Sequence, residues 1–420
     1  MTNTAELKIR NYKTTYDSDA IALLGCMFLF YSGSYSIKVI LSGIGLEAVT
    51  NFGSLFFYIL WFYNLVKISI QNKFIIKKIV FFELLYIGIL MINKATFPYT
   101  EQYYIEYHMF LRQIVLVFLP CGVVLSQVKT FEDTFGILRK YAWIGSLLML
   151  TAFPLGYMNY WGEQYWGVQL SPLTIIIFEN YIKNKRKSDF ALLAISLVMI
   201  LAGGRQSFIV ISASCLMLYL YDNRKKSTKI LLLISLGVIV SIILVSDFYI
   251  AIFKCMLEIL QSLGLEKMRA LEYLANGNLF STLTRNYIYE SAIVSIAANG
   301  TKVSGLFADR YYIRQFGRWI AYPHNLFLEL WMDFGTVWGT VLAVILMAKA
   351  IENLFIGGEG RKRLYIALSI LSLFRLMVSN SFMIEGYFYV LLGFLFGKGT
   401  GLRFKNPNKQ KHIVSVYNRR

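Results

Sequence analysis

Long apolar stretches separated by short polar segments dominate the chain from residue 20 to residue 397. A helix needs roughly 20 mostly apolar residues to cross a bilayer core about 30 Å thick, so the pattern predicts about twelve membrane-spanning helices. The predicted spans are approximately 20–41, 48–66, 79–96, 109–128, 141–158, 168–182, 190–203, 207–221, 230–250, 325–348, 364–380 and 386–397. A mean hydropathy of +0.54 and 57% hydrophobic residues support this class and exclude a soluble enzyme.

Basic residues predict the orientation of these spans. Lysines and arginines cluster in alternate loops, for example at 183–187 and 361–363. The positive-inside rule places these loops and both termini in the cytoplasm. The same clusters account for the net charge of +18 as topology signals, so we expect no nucleic-acid partner. The predicted organisation is spans 1–9 in residues 1–245, an extracytoplasmic loop with short helices at 246–322, spans 10–12 in residues 323–397, and a basic cytoplasmic tail at 398–420.

An arginine lies in a turn between two short predicted spans, in the sequence GGRQSF at 203–208. At about 1.5 Å per residue, residues 190–203 reach only about 21 Å, so the turn is expected below the outer interface. An arginine at membrane depth costs about 2.5 to 3.5 kcal/mol on insertion scales and needs an anionic partner. Gly204 would let a ligand approach backbone amides. The alternative is that Arg205 reaches up to lipid headgroups.

The extracytoplasmic loop at 246–322 is far longer than the other outer loops, and loops of this length are commonly functional. Its stretch 280–300 is predicted to be helical, with Arg285 near the start. Three further arginines follow at intervals of four residues, and a helix would stack them on one face: Arg310, Arg314 and Arg318. This basic excess favours an anionic partner outside the cell, and contact of the arginines with headgroups is the alternative.

His324, one of three histidines in the chain, stands where a polar stretch enters the apolar run PHNLFLELWMDFG at 323–335. Few other residues of so apolar a chain could carry acid/base chemistry. Asn325 is expected to cap the following helix. Glu329 follows Asn325 by four residues and projects from the same helix face. It lies inside an apolar run, where an ionisable group is costly and indicates a partner. An ordinary capping or interfacial histidine is the alternative interpretation.

Motifs of other catalytic classes do not occur. The sequence contains no HExxH, no GxxxxGK and no GxSxG. With dispersed histidines and no carboxylate cluster we expect no catalytic metal, and the four cysteines form neither a disulfide framework nor a CxxC pair. Asp17-Ser18-Asp19 resembles a metal-nucleotide DxD, but three polar residues before a membrane helix are expected to cap that helix.

PHNLFLELWMDFG resembles the signature of the O-antigen ligase/polymerase family, whose members transfer or polymerise lipid-linked bacterial glycans. GGRQSF is similar to the family's arginine turn, and STLTRNYIYESAI at 281–293 is similar to its arginine-bearing outer helix. The resemblance extends over about residues 190–348. The chain departs from it at ANGTKVSGLF, 298–307, where relatives usually have a more glycine-rich stretch.

The resemblance implies an all-α polytopic membrane protein of GT-C-like fold, with a long helical outer loop between spans 9 and 10. It implies a glycosyltransferase that needs neither metal nor cofactor and uses undecaprenyl-diphosphate-linked glycans at the outer face of the bacterial cytoplasmic membrane. His324 is then the general base, and Arg205 and Arg285 are the catalytic diphosphate clamps. The expected substrate-binding residues are Gly204, Arg310, Arg314, Arg318, Asn325, Glu329 and Arg375.

The preferred function within the family is polymerisation of oligosaccharide repeat units into O-antigen or capsular polysaccharide. The aromatic loop YMNYWGEQYWG, 157–167, could stack sugars, although an interfacial aromatic belt explains it equally well. A ligase that transfers the glycan to a lipid A core is one alternative. A polysaccharide or lipid flippase is an alternative from a different class. Expected partners are lipid-linked glycans, membrane lipids, and a chain-length regulator and flippase of the same pathway.

Overall fold

The computed structural model describes residues 2–158, 163–202, 205–222, 248–262, 264, 268–277, 283–317, 322–378 and 380–396. Within these ranges the side chains at 2–14, 51, 157–158, 163–165, 202, 205, 248–249, 269–270 and 283–285 are not described. Every regular element of the described chain is helical.

Long helices follow the apolar stretches of the sequence, and shorter helices lie between some of them. They are α1 Thr2–Gly43, α2 Thr50–Gln71, α3 Lys73–Thr96, α4 Glu101–Glu106, α5 His108–Leu125, α6 Thr134–Met158, α7 Glu163–Asn184, α8 Lys187–Ala202, α9 Arg205–Asp222, α10 Phe248–Ser262, α11 Arg269–Ala275, α12 Leu283–Asn299, α13 Ala308–Gln315, α14 Leu326–Phe355, α15 Glu359–Ser369, α16 Arg375–Val378 and α17 Gly386–Phe396. A π-helical turn, Ile370–Phe374, joins α15 to α16.

Helices occupy the predicted spans wherever the structure describes them, and only the ninth span, 230–250, lies largely outside the described residues. Four stretches in the described chain are long and apolar enough to cross a bilayer: Thr15–Gly43, Glu47–Gln71, His108–Leu125 and Leu326–Phe355. The protein is therefore a helical membrane protein. The full count of twelve spans stays a prediction.

The helices differ in how much of their apolar surface they bury. α1 packs against α2 and α6 in the main core, and Leu23, Leu24 and Met27 are fully enclosed there. In contrast, α2 leaves large apolar side chains exposed along its outer side, including Phe52 and Ile70. Large apolar side chains exposed along one helix are unfavourable in water, and lipid is the environment that accommodates them.

The predicted tenth span, 325–348, is present as α14, and the helix has a break within it that the sequence analysis did not predict. Gly335 has φ 73 and ψ 166, and the helix α14 bends there. The segment 300–305 satisfies backbone groups at the break, because Thr336 N donates to Gly300 O (3.0 Å) and Gly305 N donates to Asp333 O (2.8 Å). A side chain at Gly335 would place its Cβ 2.6 Å from Thr301 O, so this close approach requires glycine.

Other local predictions had mixed outcomes. The outer helix expected at 280–300 is present as α12. The helix that carries Arg310 and Arg314 ends at Gln315, so it does not extend to Arg318, which lies outside the described residues.

The expected capping role of Asp17 is wrong. This residue lies inside α1, and its carboxylate accepts hydrogen bonds from the backbone N–H groups of Lys129 (3.1 Å) and Thr130 (2.9 Å). It therefore fixes the loop between α5 and α6, because two otherwise unsatisfied amide groups find their acceptor there.

Candidate functional site

His324 stands directly before the first helical turn of α14 in a strained backbone conformation. Its φ is +53, a left-handed value that is uncommon for a residue other than glycine. Asn325 is the N-cap of α14, as expected from the sequence, and its Oδ1 accepts hydrogen bonds from Phe327 N (3.0 Å) and Leu328 N (3.3 Å). The cap fixes where α14 begins, and with it the position of the half-buried imidazole.

Tyr322 connects this histidine to a buried arginine. The ring centroids of Tyr322 and His324 are 4.5 Å apart in an edge-to-face arrangement. The guanidinium carbon of Arg310 lies over the same tyrosine ring, 5.3 Å from its centroid. Burial raises the pKa of Tyr322 to about 12, although Arg310 opposes this shift, so the hydroxyl remains protonated at neutral pH.

Arg310 is completely enclosed and has both carboxylate and aromatic partners. Its Nη1 lies 2.8 Å from Asp309 Oδ1 and 3.4 Å from Glu329 Oε1. The rings of Tyr107 and Phe307 lie 5.0 and 4.9 Å from its guanidinium carbon. The guanidinium thus joins α13, which carries it, to α14 and to the segment between α4 and α5.

Glu329 has a cationic partner, Arg310, as its position in an apolar run predicted. It also has partners that the sequence did not indicate. Arg310 Nη2 donates to Ser381 Oγ (2.5 Å), and Ser381 Oγ in turn donates to Glu329 Oε1. The second oxygen of Glu329 accepts from Phe382 N (3.1 Å). The loop between α16 and α17 is therefore attached to the helix that follows His324.

Three carboxyl groups surround this one guanidinium. Asp309, Glu329 and Asp333 are fully buried, as is Arg310. Asp333 also accepts the backbone N–H of Asp309 (3.0 Å). Burial raises the pKa of Asp309, although Arg310 lies beside it, and full ionisation of all three carboxyls would leave buried negative charge without a counterion. We therefore expect the carboxyls to share protons.

Two further sequence-predicted residues, Arg314 and Arg375, make ion pairs of their own in the described chain. Arg314 is half-exposed, and its Nη2 donates to both carboxylate oxygens of Glu106 (2.7 and 2.9 Å). Arg375 is buried, and its Nη1 lies 3.1 Å from Glu385 Oε2. Gly204 and Arg318 lie outside the described residues.

The two predicted diphosphate arginines are described only by their backbones. Arg205 is the first residue of α9, and Arg285 is the third residue of α12. α12 packs against α13 and α14 through a small apolar cluster that contains Ile288, Ile313 and Met332. α9 contacts α16, the helix that begins at Arg375. The convergence of both arginines on His324 stays a prediction.

Sequence reasoning missed Asp309, Asp333 and Ser381. Asp333 carried a usable signal, because it follows Glu329 by four residues in an apolar run and so lies on the same helix face. Asp309 and Ser381 carried none, since they come from segments that only tertiary folding brings to α14.

The fold and this site define a class: a helical membrane protein in which the helix α13 is joined by a buried ion pair to α14, the helix after the histidine. Residues 190–344 match the family model described as O-antigen ligase. This match extends from α8 into the second half of α14, and it supports assigning the chain to the O-antigen ligase/polymerase family, as the sequence resemblance indicated. Searches of curated proteins and of solved structures gave no match.

Proposed function

We propose that this protein polymerises oligosaccharide repeat units carried on undecaprenyl diphosphate, at the outer face of the bacterial cytoplasmic membrane. The observation that carries the proposal is the geometry around His324. A titratable side chain is held at a helix start in a left-handed conformation, within the matched region and next to an enclosed arginine and carboxyl cluster. Strained residues of this kind tend to occur at functional sites.

The proposed reaction is a single displacement at the anomeric carbon of the lipid-linked donor. The imidazole of His324 takes the proton from the acceptor hydroxyl as that oxygen forms the new glycosidic bond. The bond between the anomeric carbon and the diphosphate oxygen breaks, and the diphosphate leaves with the electron pair as an anion. Arg205 and Arg285 stabilise that charge, and the configuration at the anomeric carbon inverts. No step requires a metal.

Arg310 acts in this proposal as a positioning residue. Its guanidinium is fully enclosed, and the ion pairs to Asp309 and Glu329 occupy it. It holds the ring of Tyr322, which contacts His324. Arg314, Asn325 and Glu329 then support the shape of the site, while Arg375 pairs with Glu385.

Transfer of the glycan to a lipid A core is the second candidate function. The matching family model carries the description O-antigen ligase, which favours this reaction. The two reactions share the donor and the proposed base, and they differ only in the acceptor. A ligase would consume lipid A core and lengthen no lipid-linked glycan. A polymerase would lengthen the lipid-linked glycan and consume no lipid A core.

A flippase is less well supported. Broken helices in transporters commonly line a water-filled path. The break at Gly335 is instead filled by the backbone of residues 300–305, through hydrogen bonds to Asp333 O and from Thr336 N. This packing favours a fixed site.

A reconstituted assay with lipid-diphosphate oligosaccharide tests the proposal. We expect His324→Ala to lower transfer by about 10² to 10⁴, the usual contribution of a general base. His108→Ala is the matched control, because His108 is an exposed histidine that also stands at a helix start, and it should retain wild-type turnover. Wild-type turnover by folded His324→Ala protein would refute the assignment of His324 as the general base.

A further inference from the structure

A cavity of about 760 Å³ lies beside the C-terminal end of α14, the helix whose N-terminal end follows His324, among groups predicted to be cytoplasmic. Its walls come from residues 129–132 after α5, the ends of α7 and α9, and the segment 356–361 that leads into α15. The function proposed above uses none of these residues.

Arg361 provides a buried cation on one side of the cavity. The residue is 7% exposed, yet its hydrogen-bond partners in the described chain are neutral: Nη1 donates to Ile356 O (3.0 Å) and Nη2 donates to Asn353 Oδ1 (2.6 Å). The guanidinium carbon also lies 4.6 Å from the ring centroid of Phe394. A guanidinium has five N–H donors, so it can still bind an anion.

The N-terminus of α15 lies on the same wall. Gly358 is its N-cap residue and contributes no side-chain hydrogen bond. The first turn therefore presents backbone N–H groups and the positive end of the helix dipole, a combination that suits phosphate. A side chain at Gly360 would place its Cβ 2.0 Å from Phe131 O, so the glycine lets the 129–132 loop close the cavity against α15.

Glu179, near the end of α7, provides an unused acceptor on the wall that faces α15. Arg363 pairs with Glu179, with Asp222 at the end of α9, and with Glu359, the first residue of α15. Glu179 is 2% exposed, and its Oε1 accepts from Arg363, whereas its Oε2 is buried and has no hydrogen-bond partner in the described chain. A buried carboxylate oxygen of this kind calls for a donor.

We propose that this cavity binds the headgroup of a phospholipid that carries a primary ammonium, of the phosphatidylethanolamine type, from the inner leaflet. Its phosphate would meet Arg361 and the first turn of α15, and its ammonium would donate to Glu179 Oε2. The charged residues of the lining balance, with four basic and four acidic side chains, which matches a ligand that is neutral overall. Phe131, Phe135 and Ile182 offer apolar contact to the glycerol region.

The test measures thermal unfolding of the purified full chain in phospholipid-free detergent while short-chain lipids are added. We expect phosphatidylethanolamine to raise the unfolding temperature saturably. Phosphatidylcholine lacks ammonium N–H donors, phosphatidylglycerol lacks the cation, and inorganic phosphate lacks both the cation and the lipid, so none of these should match it. Equal stabilisation by the three lipids would show nonspecific lipid binding, and a full response to phosphate would show a free-anion site; either outcome overturns the proposal.

Variants locate the binding site. Glu179→Gln keeps the size of the side chain and an acceptor for Arg363 but removes the negative charge, so the apparent Kd for phosphatidylethanolamine should rise roughly tenfold or more. Glu352→Gln is the control, because Glu352 is outside the lining and pairs with Lys349, and its Kd should stay at the wild-type value. Should Glu179→Gln fail to fold, Arg361→Lys tests the phosphate end with the same expected weakening. Unchanged affinity in the folded variant would refute the assignment.

Discussion

Replacing Arg310 by methionine tests the buried cluster most directly. The guanidinium is fully enclosed, with Asp309 Oδ1 at 2.8 Å and Glu329 Oε1 at 3.4 Å. Methionine fills much of the volume but leaves buried carboxyls without their cation. Breaking a buried ion pair in this way typically costs about 3 to 5 kcal/mol of unfolding free energy.

Arg314→Met provides a matched control on the same helix. Arg314 lies one turn further along α13, and its pair with Glu106 is partly solvated, with side-chain exposures of 36% and 40%. Pairs of this kind are worth about 0 to 1 kcal/mol. The same substitution four residues away should therefore cost several times less.

Reversible unfolding of the purified protein in mixed micelles, followed by tryptophan fluorescence, measures both losses. The double variant Arg310→Met/Glu329→Gln should be less destabilised than the sum of its single changes, because the second substitution removes a charge that the first left unpaired. Equal losses for Arg310→Met and Arg314→Met would refute the argument, since burial would then not decide the cost.

Three further outcomes are expected. Transfer should persist in EDTA, and loss of turnover that magnesium or manganese restores would contradict the metal-free mechanism. Arg205→Ala should weaken donor binding and turnover, and Arg205→Lys should rescue both only in part because a point charge cannot reproduce a two-pronged guanidinium contact; full rescue by lysine would argue against a bidentate clamp. Gly335→Ala should destabilise the protein, because its φ is +73 and its Cβ would meet Thr301 O at 2.6 Å. Gly88→Ala is the control, because Gly88 lies in α3 with open space around it; this change should be neutral or slightly stabilising in the same unfolding measurement.

The sequence by itself determined the class of this protein and most of its helices. Apolar runs of span length predict membrane helices because lipid cannot satisfy exposed backbone groups, and helix formation is a local response to that requirement. The cap at Asn325 was also predictable, since an N-cap bond reaches only two or three residues along the chain. The histidine motif and the arginine turn sufficed to indicate the family.

Tertiary structure decided what surrounds the histidine. Arg310 looks like Arg314 in the sequence, yet one is enclosed and the other is half-exposed. Ser381 meets Glu329 across 52 residues of chain, and Gly335 breaks its helix where residues 300–305 arrive. Burial and ion pairing depend on which distant segments share a site, and a pattern of polar and apolar positions records only which face of a helix is polar.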